Sequence, residues 1–267
     1  MSTLEEPISI AVDEAHLDGT LVTPGTLIPG VLFVHGWGGS QQQYLARARE
    51  IAALGCVCLT FDLRGHAEHQ SLFETVSRAH NLQDVLAAYD TLVQRQHVDP
   101  RAIAVVGSSY GGYLGAILSS MRPVKWLALR APALYHDDGW ESPKLQLHKD
   151  RDLRAYRSSL VPMSSNRALQ ASHDFKGDML LIESELDDVV PKTTLDSYRE
   201  AAQNARSLTY RCMDGANHGL TGERDQSNYS AVLIGWLKEM IAGARRVPPE
   251  PIPTSDSLPP EAPVKCP

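Results

Sequence analysis

From residue 29 onward, short runs of β-favouring residues alternate with stretches of helix length, and this alternation restricts the chain more than any other feature. Val31-Leu32-Phe33-Val34, Val57-Cys58-Leu59-Thr60-Phe61, Ile103-Ala104-Val105-Val106, Trp126-Leu127-Ala128-Leu129, Met179-Leu180-Leu181-Ile182 and Leu208-Thr209-Tyr210-Arg211 read as strands. Most are apolar throughout, as parallel strands covered on both faces are. Helical stretches fall between them at about 41–54, 80–96, 110–121 and 192–204, and a last one follows the final strand at about 227–242. Parallel strands need long crossovers, so this order predicts a mostly parallel α/β sheet with helices on both faces. Residues 7–23 read as an antiparallel pair ahead of the parallel series.

Two segments break the rhythm. Residues 136–177 are polar, carry Trp140 and Tyr156, and exceed the length of one crossover helix, so they read as a small helical insertion over one end of the sheet, placed where a lid could form. Eight of the 17 prolines fall in the last 20 residues, where no apolar periodicity survives. Such a segment buries too little to offset its ordering entropy. The expected division is therefore one domain over 1–243 and a disordered, proline-rich tail over 244–267.

Charge narrows the function classes. Lys+Arg number 25 against 32 Asp+Glu, a formal net charge of −7, whereas binding nucleic acid or anionic membranes calls for an excess of basic residues. The N-terminus MSTLEEPISI has two glutamates, no basic residue and no apolar core of a secretory signal. No stretch approaches the ~18 consecutive apolar residues of a membrane span. A soluble, cytoplasmic protein acting on a small molecule is the expectation. Cys56, Cys58, Cys212 and Cys266 fit neither a disulfide framework nor a zinc site, and read as buried reduced thiols.

Chemistry concentrates at strand ends. Gly107-Ser108-Ser109-Tyr110-Gly111-Gly112 follows an apolar strand, opens a helix and contains G-x-S-x-G centred on Ser109. Glycines on both sides let a sharp turn lift the hydroxyl above the sheet. A serine attacks only when a base takes its proton and a carboxylate holds that base in the right tautomer. Of the ten histidines, His218 lies in the loop after the final strand, between Gly215 and Gly219. Glu185, Asp187 and Asp188 follow the strand ending near Ile182, and from the residues alone each could be the carboxylate. His35-Gly36-Trp37-Gly38-Gly39 follows the strand ending at Val34, so the Trp37 amide, with that of Tyr110 beside the serine, could receive an oxyanion. His35 itself reads as structural.

These residues resemble those of the α/β-hydrolase superfamily over about residues 8–243. Asp62-Leu63-Arg64-Gly65-His66 is similar to the D-x-R-G-x turn of its members. The nucleophile motif resembles that of prolyl-oligopeptidase-type domains. The short chain and His35-Gly36-Trp37-Gly38-Gly39 resemble small bacterial esterases of the feruloyl-esterase and dienelactone-hydrolase kind, although dienelactone hydrolases proper carry cysteine where this chain has Ser109. No propeller fits ahead of residue 29, so a gated peptidase is not expected. The resemblance implies an α/β-hydrolase fold and the chain order Ser109, Asp187, His218. The family's D-x-x-V-P pattern, here ending in Val190-Pro191, selects Asp187.

The expected activity is hydrolysis of a carboxylic ester through an acyl-enzyme, with no cofactor. Amide or short-peptide hydrolysis by the same residues is the nearest alternative, and a non-catalytic ligand receptor a more distant one. Trp37, Tyr135 and Trp140 are candidate substrate-binding residues. His66-Ala67-Glu68-His69 offers metal-ligating side chains, but on a turn rather than one face of a rigid element, so no metal site is expected.

Overall fold

Leu4–Val12 (β1) and Ala15–Thr23 (β2) pair antiparallel, as the sequence leads one to expect. The computed structural model describes residues 4–23, 28–150 and 152–246. Six further strands follow: Ile28–Val34 (β3), Val57–Phe61 (β4), Val98–Ser108 (β5), Trp126–Arg130 (β6), Asp178–Leu186 (β7) and Ser207–Asn217 (β8). They form one sheet in the order β1-β2-β4-β3-β5-β6-β7-β8. β2 meets β4 antiparallel, and all pairings from β4 to β8 are parallel. β3, β4 and β6 are buried at every position, which is why they read as unbroken apolar runs.

The helices are Gln42–Ala52 (α1), Arg78–Val93 (α2), Tyr110–Met121 (α3), Lys144–Asp150 (α4), Leu153–Arg157 (α5), Arg167–Asp174 (α6), Lys192–Ala201 (α7) and Glu223–Arg246 (α8). α1 packs on α8, while α2, α3, α6 and α7 form a second row, each touching the next. None of the described helices is long and apolar enough to cross a membrane.

Parallel register lines up the strand ends that matter. Val34 stands opposite Gly107, and Ser108 opposite Arg130. Between β7 and β8 the register shifts: Ser184 faces Met213, but Leu186 faces Asn217. The extra residues on β8 bring Asp187 and His218 off adjacent strands as consecutive neighbours. Gly215 sits in this irregularity with φ 71°, a conformation that suits glycine, and donates its N–H to Glu185 Oε2 at 2.6 Å.

The segment 136–177 divides in two. α6 packs against α3 and α7 and serves as the crossover between β6 and β7, which parallel strands require. Its start is capped by Asn166 Oδ1, which accepts from the Ala168 and Leu169 amides, while Asn166 Nδ2 donates to the Tyr135 carbonyl. The earlier part is tied down by Arg78, whose Nη1 and Nη2 donate to the carbonyls of His136 and Asp138, each at 2.5 Å. The last helix is longer than the sequence pattern indicates and runs through residues 244–246, so those three residues belong to α8 rather than to the tail. Glu223 and Asp225 in its first turn complement the helix dipole and extend it backward. The proline-rich tail beyond 246 lies outside the described residues, as does Cys266. Cys56 and Cys58 are buried free thiols, but Cys212 is exposed, because β8 is an edge strand.

Candidate active site

Ser109 joins β5 to α3 with φ 51° and ψ −116°, a strained conformation for a residue with a side chain. Its surroundings over-determine it. The Ser109 amide donates to the Arg130 carbonyl at 2.9 Å, and its own carbonyl accepts from the Tyr113 and Ala133 amides. A Cβ at Gly111 would run into the carbonyls of Val34 and His35, so only glycine lets α3 start this close to the end of β3.

His218 Nε2 lies 3.0 Å from Ser109 Oγ, and His218 Nδ1 lies 2.7 Å from Asp187 Oδ2. Asp187 Oδ1 accepts from the Val189 and Val190 amides at 2.9 and 2.7 Å, which fixes the carboxylate. Burial opposes ionisation of Asp187, yet the bond from His218, the Val190 and Val189 amides and the nearby imidazole hold its carboxyl below the usual range. An ionised carboxylate only accepts, so Nδ1 carries the proton and Nε2 is free to accept from Ser109 Oγ–H. Of the three acidic residues that the sequence leaves open, Asp187 is the one hydrogen-bonded to His218. Glu185 is engaged with Gly215.

The loop after β3 lies against the serine: a Cβ at Gly36 would stand 3.4 Å from Ser109 Cβ. Among the described residues neither the Trp37 amide nor the Tyr110 amide donates to a protein acceptor. His35 braces this loop. Its Nε2 accepts from the Leu63 amide at 3.0 Å, its Nδ1 donates to the Gly36 carbonyl at 2.8 Å, and burial pushes its pKa down to about 4. Asp62 accepts from the Gln41 backbone and side chain, and Arg64 pairs with Asp84, so the D-x-R-G turn ties the end of β4 to α1 and α2. Among the described residues no group of three or more His, Cys, Asp or Glu is arranged to hold a metal ion.

A cavity of about 260 Å³ opens beside Ser109 and His218. Of the candidate substrate residues, Trp37 lines it. Tyr135 is buried edge-on to Tyr110, and Trp140 lies between Arg78 and Arg167, away from the cavity. Lys144, fully buried, places its Nζ 4.0 Å over the Trp37 ring and 4.8 Å over that of Tyr110. Tyr44 and Arg47 from α1, Arg130 from β6 and Tyr229 from α8 also line the cavity and were not singled out from sequence. For Arg130 a signal existed: a charged residue ends an otherwise apolar strand at the carboxyl edge of a parallel sheet, where ligands bind. For the helix residues there was none, because their facing depends on how α1 and α8 pack.

Residues 40–244 match the prolyl oligopeptidase family. No curated protein sequence matches the chain. Among solved structures, an acylaminoacyl peptidase from Pyrococcus horikoshii superposes with a TM-score of 0.69 at 16% identity, over 90% of this chain and 42% of that one, so the chain spans less than half of that relative's length. A dienelactone hydrolase from Anabaena variabilis gives 0.61 at 20% identity, over 89% of this chain and 98% of that one. A bacterial heroin esterase gives 0.64 at 18% identity, covering 90% and 84%. The eight-stranded, mostly parallel sheet and these likenesses bear out the α/β-hydrolase fold.

Proposed function

The chain belongs to the prolyl oligopeptidase family of hydrolases, and on that premise we propose that it cleaves carboxylic esters of small molecules through an acyl-enzyme formed on Ser109. The observation that carries this reading is the continuous hydrogen-bond chain from Ser109 Oγ through His218 to Asp187. As Oγ attacks the ester carbon, His218 Nε2 takes its proton, and Asp187 stabilises the imidazolium through Nδ1–H. The amides of Trp37 and Tyr110 receive the negative charge that develops on the carbonyl oxygen. Collapse breaks the bond to the leaving alkoxide, to which His218 returns the proton. Water then repeats the sequence on the acyl-enzyme, freeing the acid and restoring Ser109. None of these steps calls on a cofactor.

The cavity's size supports a small substrate, and two of the solved structures that align with the chain over most of both lengths carry esterase or lactone-hydrolase names. Amide or short-peptide hydrolysis is the second reading, favoured by the family's peptidase name and differing in the leaving group that His218 must protonate. Turnover of an ester and an anilide of the same acyl group, with fluorophosphonate labelling of Ser109, tests both. Faster anilide turnover would favour the peptidase. Absence of both turnover and labelling would leave a ligand receptor built on this fold.

A further inference from the structure

The cavity beside Ser109 holds a charge arrangement that ester hydrolysis by itself does not use. Among the described residues its lining includes two guanidinium groups, Arg130 and Arg47, and no carboxylate. Arg130 is 7% exposed. Its Nε and Nη1 donate to Ser108 Oγ and Ser184 Oγ, both neutral acceptors, each at 3.3 Å. Among the described residues no carboxylate pairs with it and Nη2 donates to no protein group. Arg47, among the described residues, likewise finds only neutral partners, the Ser230 hydroxyl and the carbonyls of Gln43 and Gln226.

Both cations are held on one ring: Arg47 lies 4.7 Å and Arg130 5.8 Å from the centroid of Tyr229. Two like charges on one side chain, one of them buried without a counter-ion, form an unfavourable arrangement that an anion would relieve. A lysine could relieve it by shedding its proton, as Lys144 is driven toward doing by burial and by the charges of Arg157 and Arg78. Arginine has no such escape. The surplus is not a matter of composition either, since the chain as a whole carries a formal charge of −7. Tyr44, whose hydroxyl burial pushes up to about 12 and so keeps protonated, lines the same cavity and can donate as well.

We propose that this cavity binds a carboxylate carried by the substrate, with Arg130 as its principal partner and Arg47 as a second, more solvated cation. The inference rests on the hydrolase reading of Ser109 and names the substrate class: small esters bearing a free carboxylate on the half that enters the cavity. One buried, permanently charged guanidinium suits a single planar anion, which it can meet with two parallel hydrogen bonds. The Ser109 amide donates to the backbone carbonyl of Arg130 itself, so the carboxylate would lie close to the scissile bond.

Two matched substrate pairs test this. One puts the charge on the leaving group, para-carboxyphenyl acetate against para-carbamoylphenyl acetate. The other puts it on the acyl group, the phenyl monoester of adipic acid against the phenyl ester of its monoamide. The expected result is a kcat/KM for the carboxylate about tenfold or more above its amide in one pair, which also identifies the half that enters. That ratio should fall toward about one in Arg130→Gln, be partly kept in Arg130→Lys, fall less in Arg47→Gln, and decline with ionic strength. Fluorophosphonate labelling and a melting curve verify that each variant is folded; should Arg130→Gln fail to fold, the wild-type ratio and Arg47→Gln decide. Turnover of the amides with a ratio of one or less in both pairs would overturn the carboxylate site while leaving the hydrolase intact, as would an unchanged ratio in a folded Arg130→Gln. No turnover of any member and no labelling would instead remove the hydrolase reading, and this inference with it.

Discussion

His218 Nε2 stands 3.0 Å from Ser109 Oγ, across 109 residues of sequence. Ser109 leaves β5 in a strained turn. His218 leaves β8 just past the register shift that sets Asn217 level with Leu186. Replacing Ser109 with Ala is expected to abolish fluorophosphonate labelling and lower kcat by about 10⁴-fold or more, because such residues act as a unit. Ser108 Oγ is bonded to Arg130 rather than to an imidazole, so fragmentation of the labelled peptide should place the adduct on Ser109. An adduct on Ser108 would reassign the nucleophile.

Asp187→Asn should cost about 10³- to 10⁴-fold in kcat, since the amide would favour the wrong His218 tautomer. Glu185→Gln, which alters the acceptor of the Gly215 amide rather than a partner of His218, should cost about tenfold or less. Asp188→Asn serves as the neighbouring control. A larger loss at Asp188 than at Asp187 would reverse the assignment.

Two glycines should respond differently to the same change. At Gly215 an added Cβ meets nothing within 4 Å, so Gly215→Ala bears only the strain of its positive φ, roughly 1–2 kcal/mol. At Gly111 the Cβ collides with two backbone carbonyls, and Gly111→Ala should lower the melting temperature far more or prevent folding. Equal shifts in Tm would mean that the α3 start tolerates a wider gap from β3.

Burial holds both His35 and His66 at a pKa of about 4, helped at His66 by the charge of His35. In the unfolded chain they titrate near about 6.5. With the folded pKa depressed, the unfolded state binds more protons as pH falls below about 6.5, and stability is lost down to about pH 4. By about pH 5 the loss approaches about 2 kcal/mol for each histidine. Melting temperature measured from about pH 7 to 5 should therefore fall, and fall less steeply in His35→Gln and His66→Gln. Parallel slopes in all three proteins would exclude these histidines as the source.

We expect the chain cut after residue 246 to keep its activity and its Tm within about 1 °C, because the proline-rich segment offers no periodic apolar face. Comparison of the two melting curves decides it; a drop of several degrees would mean that the segment packs on the domain.

Local chemistry made much of this protein legible from its residues. Apolar runs of strand length separated by helical stretches point to a mostly parallel α/β sheet, since strands joined by crossover helices are covered on both faces and show no polar one. Glycines about Ser109 mark a turn that few other residues could make, and a histidine after the last strand marks its partner. What these signals could not contain is side-by-side placement, which depends on register across strands distant in sequence. The register shift at Gly215 accompanies a hydrogen bond from His218 to Asp187 rather than to Glu185. The packing of α1 against α8 carried Arg47 and Tyr229 to the serine, while Tyr135 and Trp140, aromatic residues that could equally line a pocket or a core, went elsewhere. That Arg130 closes an apolar strand is legible along the chain; that no carboxylate meets it is not. It becomes a cation without a counter-ion only when β6 is buried between β5 and β7, because the absence of a partner is a property of the whole neighbourhood.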